Sequence, residues 1–208
     1  MKLYHFPISP NSRRVVAVLH HLELACELQS IDLSKGEQMQ PDFLRLNPNH
    51  MIPTLVDGDF VLWESNAIMQ YLCSKVPGNS LWPVNPATQA DISRWQFWQT
   101  AHFGNACGVF IFERLIKKFR NLGEPDANQI AKGEAGFHRF ASVLEAHLAG
   151  REWLVGDTVT LADFSVGSFL ELAEMAQYPM ASYTGMQRWY RNIGFVPAWQ
   201  SSAPAKMT

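Results

Sequence analysis

The chain up to residue 77 combines short apolar runs with helical repeats of apolar positions. Residues 2–6 are apolar and aromatic, and apolar side chains from Val15 to Leu22 then recur at the three- and four-residue spacing of a helix. Farther along, Asp57 and Gly58 separate two short apolar runs, which is typical of a β-hairpin. The pattern predicts a strand, a helix, a strand, a loop, a hairpin and a helix over residues 2–6, 11–24, 27–33, 34–40, 52–63 and 64–76.

No strand pattern follows residue 77. From Pro86 onward the apolar positions keep helical spacing, and the stretch between Pro77 and Pro86 is rich in proline and glycine, as linkers are. The sequence therefore predicts an α/β domain over residues 1–77, a linker over 78–86 and an all-helical domain over 87–208.

Thr160 marks the start of one helix in the second half. Its hydroxyl suits an N-cap, and Asp163 lies three positions later, just before an apolar run over residues 164–172. Such a cap contributes about 1 kcal/mol to stability. We interpret Asp163 as a folding feature and not as a catalytic group.

Charge and cysteine content exclude several kinds of partner. The 208 residues carry 17 Lys and Arg against 19 Asp and Glu, a formal net charge of -2, with no dense basic run. Neither a nucleic-acid nor a membrane partner is therefore expected. Cys26, Cys73 and Cys107 form no C-x-x-C pair, which argues against a disulfide framework and against a metal site. Because the start shows no signal-peptide pattern, we expect a cytoplasmic protein.

Residues 95–112 carry no charge and approach the length of a short membrane span. Gln96, Gln99 and Asn105 interrupt the stretch, and an unpartnered amide costs roughly several kcal/mol in hydrocarbon. We therefore predict a helix buried inside the protein.

Three polar clusters lie at junctions between the predicted elements. Ser9 falls between a strand and the positive end of a helix, an environment that favours an anion. A cis peptide between Ile52 and Pro53 would expose the Ile52 backbone to an extended ligand. Glu64 and Ser65 open a helix, where they suit an ammonium group and a carboxylate. A ligand with both charges fits this pattern.

These junctions carry motifs of a known family. Residues 47–55 contain Asn-Pro followed by Ile-Pro-Thr-Leu, and residues 62–72 contain Leu-Trp-Glu-Ser-Asn-Ala-Ile followed by Tyr-Leu. Both motifs resemble the glutathione-binding half of cytosolic glutathione transferases, and residues 160–163 are similar to the capping motif of their helical half. The resemblance runs from residue 1 to about 200. It implies an α/β thioredoxin-like N-terminal domain and an all-α C-terminal domain that forms the hydrophobic substrate side.

The resemblance offers two residues for activating the glutathione thiol. Ser9 matches the catalytic serine of the theta, delta and phi classes, with Arg13 in their S-x-x-x-R spacing. Asn11 matches an asparagine that helps to activate glutathione in nu-class bacterial enzymes, in which disulfide reduction is a known activity. Ser9 and Asn11 are therefore alternatives for the same role.

Further contacts to glutathione follow from the same resemblance. His50 and Ile52 match delta-like positions for the glycine carboxylate and the cysteinyl backbone, and Pro53 matches the family's cis-proline. Glu64 and Ser65 match the site of the γ-glutamyl group.

Two more candidate contacts depart from the delta-like pattern. Gln38 stands where that pattern has histidine, and Asn66 stands where it has arginine. The resemblance places both near the two carboxylates of glutathione.

The hydrophobic co-substrate is expected against the long helix of the second domain. Phe103 and Phe110 lie seven positions apart and share a helical face, with His102 beside them. They are candidates for the wall of an electrophile site, and core packing is the alternative.

The resemblance implies an enzyme that forms the glutathione thiolate for attack on hydrophobic electrophiles in detoxification. One alternative is a glutathione-dependent disulfide reductase or peroxidase of nu-like type. Another is a non-catalytic, transferase-like interaction protein. The implied protein is a homodimer that uses glutathione as a co-substrate and needs no metal.

Overall fold

The structure, a computed structural model, describes residues 1–204 and divides into two compact units. The first unit comprises Met1–Trp82 and residues 195–204, and the second comprises Pro83–Gly194. The division falls inside the stretch predicted as a linker. The sequence predicts a helical domain that extends to residue 208, whereas residues 195–204 pack with the first unit.

A four-stranded sheet forms the centre of the first unit. In the spatial order β2-β1-β3-β4, the strands are β1 (Lys2–His5), β2 (Glu27–Ser30), β3 (Thr54–Asp57) and β4 (Phe60–Trp63). β1 is parallel to β2 and antiparallel to β3, which is antiparallel to β4. β3 and β4 form the hairpin that Asp57 and Gly58 predict.

Three helices of the first unit follow β1, β2 and β4 along the chain. They are α1 (Pro10–His21), α2 (Pro41–Leu46) and α3 (Ser65–Ser74), and α1 packs against α3. Helix α2 and the 3-10 turn Glu37–Met39 lie where the sequence predicts only a loop or no element, because neither is long enough to show a helical period. The unit's core includes the fully buried residues Leu3, Val15, Leu55, Ile68 and Leu72.

The second unit contains helices and no strand within the described residues. They are α4 (Pro86–Trp98), α5 (Gly104–Phe110), α6 (Lys117–Arg120), α7 (Ala127–His147), α8 (Leu161–Gly167) and α9 (Thr184–Gly194). Two π-helical segments, Gln99–Phe103 and Ile111–Ile116, join α4, α5 and α6 into one long helix, and the 3-10 turn Ser168–Leu172 follows α8. The predicted all-helical character is confirmed.

The uncharged stretch of residues 95–112 lies in this long helix. Within residues 1–204, no helix combines the length and the apolar character needed to cross a membrane.

The helix start predicted at Thr160 is confirmed. The Thr160 hydroxyl accepts the Ala162 N–H, and Asp163 Oδ2 accepts the Thr160 N–H at 2.8 Å. Asp163 is fully buried, and its Oδ1 accepts the Leu154 N–H at 2.9 Å and Trp189 Nε1–H at 2.8 Å. One carboxylate therefore joins α8, the segment before it and α9.

Helix α10 (Pro197–Ser201) packs with the first unit because Arg13 of α1 binds it. Arg13 donates from Nη2 to the Trp199 carbonyl at 3.2 Å and from Nε to Ser202 Oγ at 3.4 Å. Its guanidinium lies 4.1 Å from the centroid of the Trp199 ring. Arg13, the arginine of the S-x-x-x-R spacing, thus holds residues 195–204, the returning segment of the chain, against the first unit.

Candidate active site

The strand register brings the three polar junctions to one end of the sheet. Tyr4 of β1 pairs with Thr54 of β3, and Thr54 pairs with Trp63 of β4. β1 therefore ends where β3 begins and where β4 ends. The clusters that contain Ser9 and Glu64 follow β1 and β4, and the Ile-Pro cluster precedes β3, so all three meet there.

Ser9 is the N-cap residue of α1. Its Oγ accepts the Ser12 N–H at 3.4 Å, and its own N–H donates to the Phe6 carbonyl at 2.9 Å. Ser12 Oγ in turn accepts the Phe6 N–H at 3.2 Å. A hydroxyl that accepts one hydrogen bond keeps its proton for donation. Ser9 is half-buried, so this proton can reach a ligand at the helix N-terminus.

Arg14 links Asn11 of α1 to Ser65 of α3. Its Nε and Nη2 donate to Ser65 Oγ at 3.0 and 2.6 Å, and Nη2 also donates to Asn11 Oδ1. Arg14 and Ser65 are each 4% exposed. Burial lowers the pKa of Arg14 to about 9, and the negative charge of Glu64 opposes this shift. The guanidinium therefore remains charged at neutral pH.

Asn47 holds the loop before β3. Its Nδ2 donates to the Met51 carbonyl at 2.8 Å and to Thr54 Oγ1 at 3.1 Å, and its Oδ1 accepts the Asn49 N–H at 3.0 Å. His50 lies within this loop, is exposed, and has a φ of 46°. The buried amide of Asn47 therefore sets the position of His50.

The Ile52-Pro53 peptide is cis, as the resemblance implies for Pro53. Pro53 is buried, and Ile52 is half-buried. The role of the Ile52 backbone in pairing with an extended ligand stays a prediction.

Glu64 precedes α3 with a φ of 69° and an exposed side chain. A non-glycine residue in this region costs of order 1–3 kcal/mol, and such strain clusters at functional sites. The strained turn exposes Glu64, while Ser65 is buried as the first residue of α3 and Asn66 is half-buried behind it.

Gln38 lies in the 3-10 turn Glu37–Met39, on the connection that leaves β2. Because Ser30 of β2 pairs with His5 of β1, this connection starts at the same sheet end as the other clusters. Gln38 Oε1 is buried and has no hydrogen-bond partner within the described residues. Its contact with a ligand stays a prediction.

The three residues expected at an electrophile site lie in the second unit. Phe103 and Phe110 are 0% and 1% exposed and pack against Phe137, with ring centroids 5.5 and 6.1 Å apart. His102 is exposed and stacks on Phe140 at 5.1 Å. The two phenylalanines are thus core residues, the alternative that their spacing left open, and they offer no surface to a ligand.

Sequence reasoning missed the roles of Arg14 and Asn47. A charged residue directly before Val15, inside an apolar helical run, needs a polar partner when it is buried, and this was the available signal. Asn47 belongs to the recognised motif, but only the geometry shows that its amide holds the loop.

Comparisons with known proteins bear on this site. A family model described as glutathione S-transferase, N-terminal domain, matches residues 3–80, and one described as glutathione S-transferase, C-terminal domain, matches residues 127–192. Glutathione S-transferase 3 of Zea mays is 37% identical over 211 residues, which cover 99% of this chain and 94% of the relative. The chain belongs to the glutathione transferase family.

Solved glutathione transferase structures share the fold. Glutathione S-transferase III in its apo form has a TM-score of 0.83 at 38% identity and covers 97% of this chain and 94% of its own. Glutathione S-transferase I bound with lactoylglutathione has a TM-score of 0.85 at 26% identity and covers 97% of both chains. A thioredoxin-like N-terminal domain followed by an all-α domain is confirmed, and so is the expectation of a glutathione transferase enzyme.

The cysteines of this glutathione transferase are poorly suited to thiol chemistry of their own. Cys26, Cys73 and Cys107 are free, and burial raises the pKa of each thiol, to about 12 for Cys73. Among residues 1–204, His, Cys, Asp and Glu side chains form no group of three or more that could hold a metal ion. The raised pKa values keep these three thiols protonated at neutral pH.

Proposed function

We propose that this protein binds glutathione at the sheet end that carries Ser9 and Ser65 and activates its thiol for attack on hydrophobic electrophiles in detoxification. One observation carries the proposal, namely the convergence of Ser9, the Ile52-Pro53 junction and the start of α3 on one end of the sheet. Family membership supports it, since the related glutathione S-transferase I structure holds lactoylglutathione.

Ser9 is the group that we assign to thiol activation. A thiol with a reference pKa of about 8.5 is only slightly ionised at neutral pH. A hydrogen bond to a charged group contributes about 1.5–3 kcal/mol, and one pKa unit corresponds to about 1.4 kcal/mol. Donation from Ser9 Oγ, together with the N-terminus of the 12-residue helix α1, therefore lowers the thiol pKa by about 1 to 2 units.

The proposed reaction begins with loss of the thiol proton to solvent. The thiolate sulfur then forms a bond to an electrophilic carbon, and the leaving group departs with its bonding electron pair. Ser9 keeps its own proton and donates a hydrogen bond to the sulfur throughout. It forms no covalent intermediate, unlike the serine of a hydrolase.

A second candidate function is glutathione-dependent reduction of disulfides or peroxides through Asn11. The observation that favours it is the bond from Arg14 to Asn11 Oδ1, which leaves the Asn11 amide N–H groups to donate to sulfur. In this reaction two glutathione thiols supply two electrons and two protons to one disulfide. The products are oxidised glutathione and two thiols.

Thiolate formation across pH, followed by ultraviolet difference absorbance, tests the proposal. We expect a lowered thiol pKa for glutathione bound to the wild type and a return toward the free value in Ser9→Ala, with little change in the dissociation constant. Ser34→Ala, an exposed serine of the same unit, is the matched control and keeps the wild-type pKa.

Two other outcomes would assign thiol activation to another residue or contradict the proposal. A lowered pKa that survives Ser9→Ala but is lost in Asn11→Ala moves the role to Asn11, and turnover of a disulfide against a chlorinated aromatic then separates the two reactions. A wild type that forms no bound thiolate overturns both.

The homodimer that the resemblance implies and the cytoplasmic location expected from the sequence are part of the proposal. Met51 is 66% exposed in the loop before β3, which suits an apolar contact in a dimer. The three free cysteines suit a reducing compartment.

A further inference from the structure

Arg14 makes contacts that neither thiol activation by Ser9 nor packing of the returning chain requires. From α1 it reaches Ser65, the first residue of the 10-residue helix α3, with two nitrogen atoms. The same guanidinium also holds Asn11 Oδ1. One buried cation therefore touches both the candidate γ-glutamyl site and a candidate for thiol activation.

These bonds fix the hydrogen-bonding direction of Ser65. A hydroxyl oxygen accepts up to two hydrogen bonds and donates one. Arg14 Nε and Nη2 fill the acceptor capacity of Ser65 Oγ, so donation is the capacity that remains. A hydroxyl fixed as a donor at a helix N-terminus is suited to a carboxylate.

The same guanidinium fixes Asn11. An amide side chain can face a ligand with its oxygen or with its NH2 group. Because Arg14 Nη2 binds Asn11 Oδ1, the NH2 group is the end that can face a ligand. A thiolate accepts hydrogen bonds from such a donor.

We propose that Arg14 is a positioning residue that fixes Ser65 and Asn11 as donors and thereby couples recognition of the γ-glutamyl α-carboxylate to the state of the thiol. The inference rests on the proposed function, in which Ser65 belongs to the γ-glutamyl site, and on its second candidate, in which Asn11 donates to the thiol. Lysine is a poor substitute at this position, since its ammonium lacks the planar fork that reaches two partners at fixed angles.

The test compares the binding of two ligands by calorimetry. They are glutathione and γ-aminobutyryl-cysteinyl-glycine, which lacks only the α-carboxylate of the γ-glutamyl group. We expect the wild type to prefer glutathione and Arg14→Met to reduce that preference by about 10- to 100-fold, the value of one hydrogen bond to a charged group. The thiol pKa of bound glutathione should rise in the same variant.

Arg13→Met is the matched control. Arg13 is also a buried arginine of α1, 7% exposed, but it binds Trp199 and Ser202. Its loss should lower stability and leave the preference between the two ligands unchanged. Arg14→Lys retains the charge, so it keeps the test usable if Arg14→Met does not fold, and we expect it to reduce the preference as well.

The outcomes separate this inference from the proposed function. If Arg14→Met and Arg14→Lys bind both ligands more weakly by the same factor, the role of Arg14 is merely structural. If the affinities and the preference for glutathione are unchanged, Arg14 has no role in recognition. Either result overturns the inference and leaves the proposed binding of glutathione intact. A wild type that binds neither ligand overturns the proposed function and this inference with it.

Discussion

Asp163 is a fully buried carboxylate under two opposing influences. Burial disfavours its charged form, and hydrogen bonds from the backbone of Leu154, from Trp189 and from Thr160 favour it. Burial is the larger effect and raises the pKa of Asp163 to about 6, against 3.8 for the unshifted group. The folded protein therefore retains a proton here at pH values where the unfolded chain has lost it.

This shift predicts a pH dependence of stability with a definite sign. Between about pH 4 and about pH 6 the folded state binds more protons than the unfolded state, so the free energy of unfolding falls as the pH rises. Two pKa units correspond to about 3 kcal/mol. We expect the free energy of unfolding of Asp163→Asn to lack this fall. Urea unfolding of the wild type and of Asp163→Asn between about pH 4 and about pH 6 measures the difference.

Asp157→Asn, at an exposed aspartate nearby in the sequence, serves as the control and should keep the wild-type slope. Parallel pH profiles for the wild type and Asp163→Asn would contradict the expectation. They would show that the hydrogen bonds fully offset burial, whereas a wild-type stability that rises with pH relative to Asp163→Asn would show that they outweigh it.

The neighbouring residues Arg13 and Arg14 show what a motif can and cannot predict about a side chain. The S-x-x-x-R spacing draws attention to Arg13, but successive residues of an α-helix point about 100° apart. Arg13 therefore reaches Trp199, and Arg14 reaches Ser65. The structure buries both arginines, and their partners lie on chain segments far away in sequence, which no local motif specifies.

At the scale of elements, the long helix from α4 to α6 differs from its prediction in one respect. The apolar spacing predicts one helix, and the structure contains two π-helical segments within it. A π segment adds a residue to a turn, and the apolar spacing alone does not show where such a residue is inserted. Gly104 directly follows the first segment, where the chain comes close to Gln99.

Gly104→Ala tests how tightly this segment is packed. A Cβ at residue 104 would meet the Gln99 side-chain nitrogen and would lie 2.7 Å from the Gln99 carbonyl oxygen. Overpacking of this kind costs about 1–3 kcal/mol, which exceeds the gain of up to about 1 kcal/mol from replacing glycine in a helix. We expect a lower free energy of unfolding by urea denaturation.

Gly108→Ala is the paired substitution in the same helix. Apart from the adjacent residues and the backbone of the helix itself, no atom lies within 4 Å of a Cβ at residue 108. The helical gain should therefore stand alone, and the variant should be at least as stable as the wild type. Equal effects at Gly104 and Gly108 would show that the close approach to Gln99 relaxes without cost.

The predictable elements are those with a local chemical signal. The hairpin follows from Asp57 and Gly58, and the start of α8 follows from the Thr160 hydroxyl with its acid three positions later. Helix α2 has a proline at its start and one buried residue, Phe43, so its six residues lack a repeat from which a helix could be predicted.

At the scale of the whole molecule, the sequence predicts that the polar clusters of the candidate site lie at junctions between elements, and the strand register brings these junctions to one sheet end. The junctions are recognisable from the motifs at Ser9, Ile52-Pro53 and Glu64-Ser65. The return of the chain to the first unit has no comparable signal. The bond from Arg13 to Trp199 joins residues 186 positions apart, and no local pattern specifies such a pair.

Trp199→Ala tests whether the returning segment stabilises the first unit. Trp199 is 3% exposed, and its ring covers the guanidinium of Arg13 at 4.1 Å. Loss of a buried tryptophan costs about 3–5 kcal/mol, and Arg13 also loses its aromatic partner. Phe195→Ala is the matched control, because Phe195 begins the same segment but is 76% exposed, and its loss should cost no more than about 0.5 kcal/mol.

Amide hydrogen exchange shows where the Trp199→Ala effect is located. Because Arg13 lies in α1, faster exchange should appear in α1 and β1 of the first unit, while α7 of the second unit keeps its wild-type rates. Faster exchange confined to α7 would instead assign the returning segment to the helical unit. Equal acceleration in both units would show that they unfold together, so that Arg13 and Trp199 stabilise the whole chain through one cooperative transition.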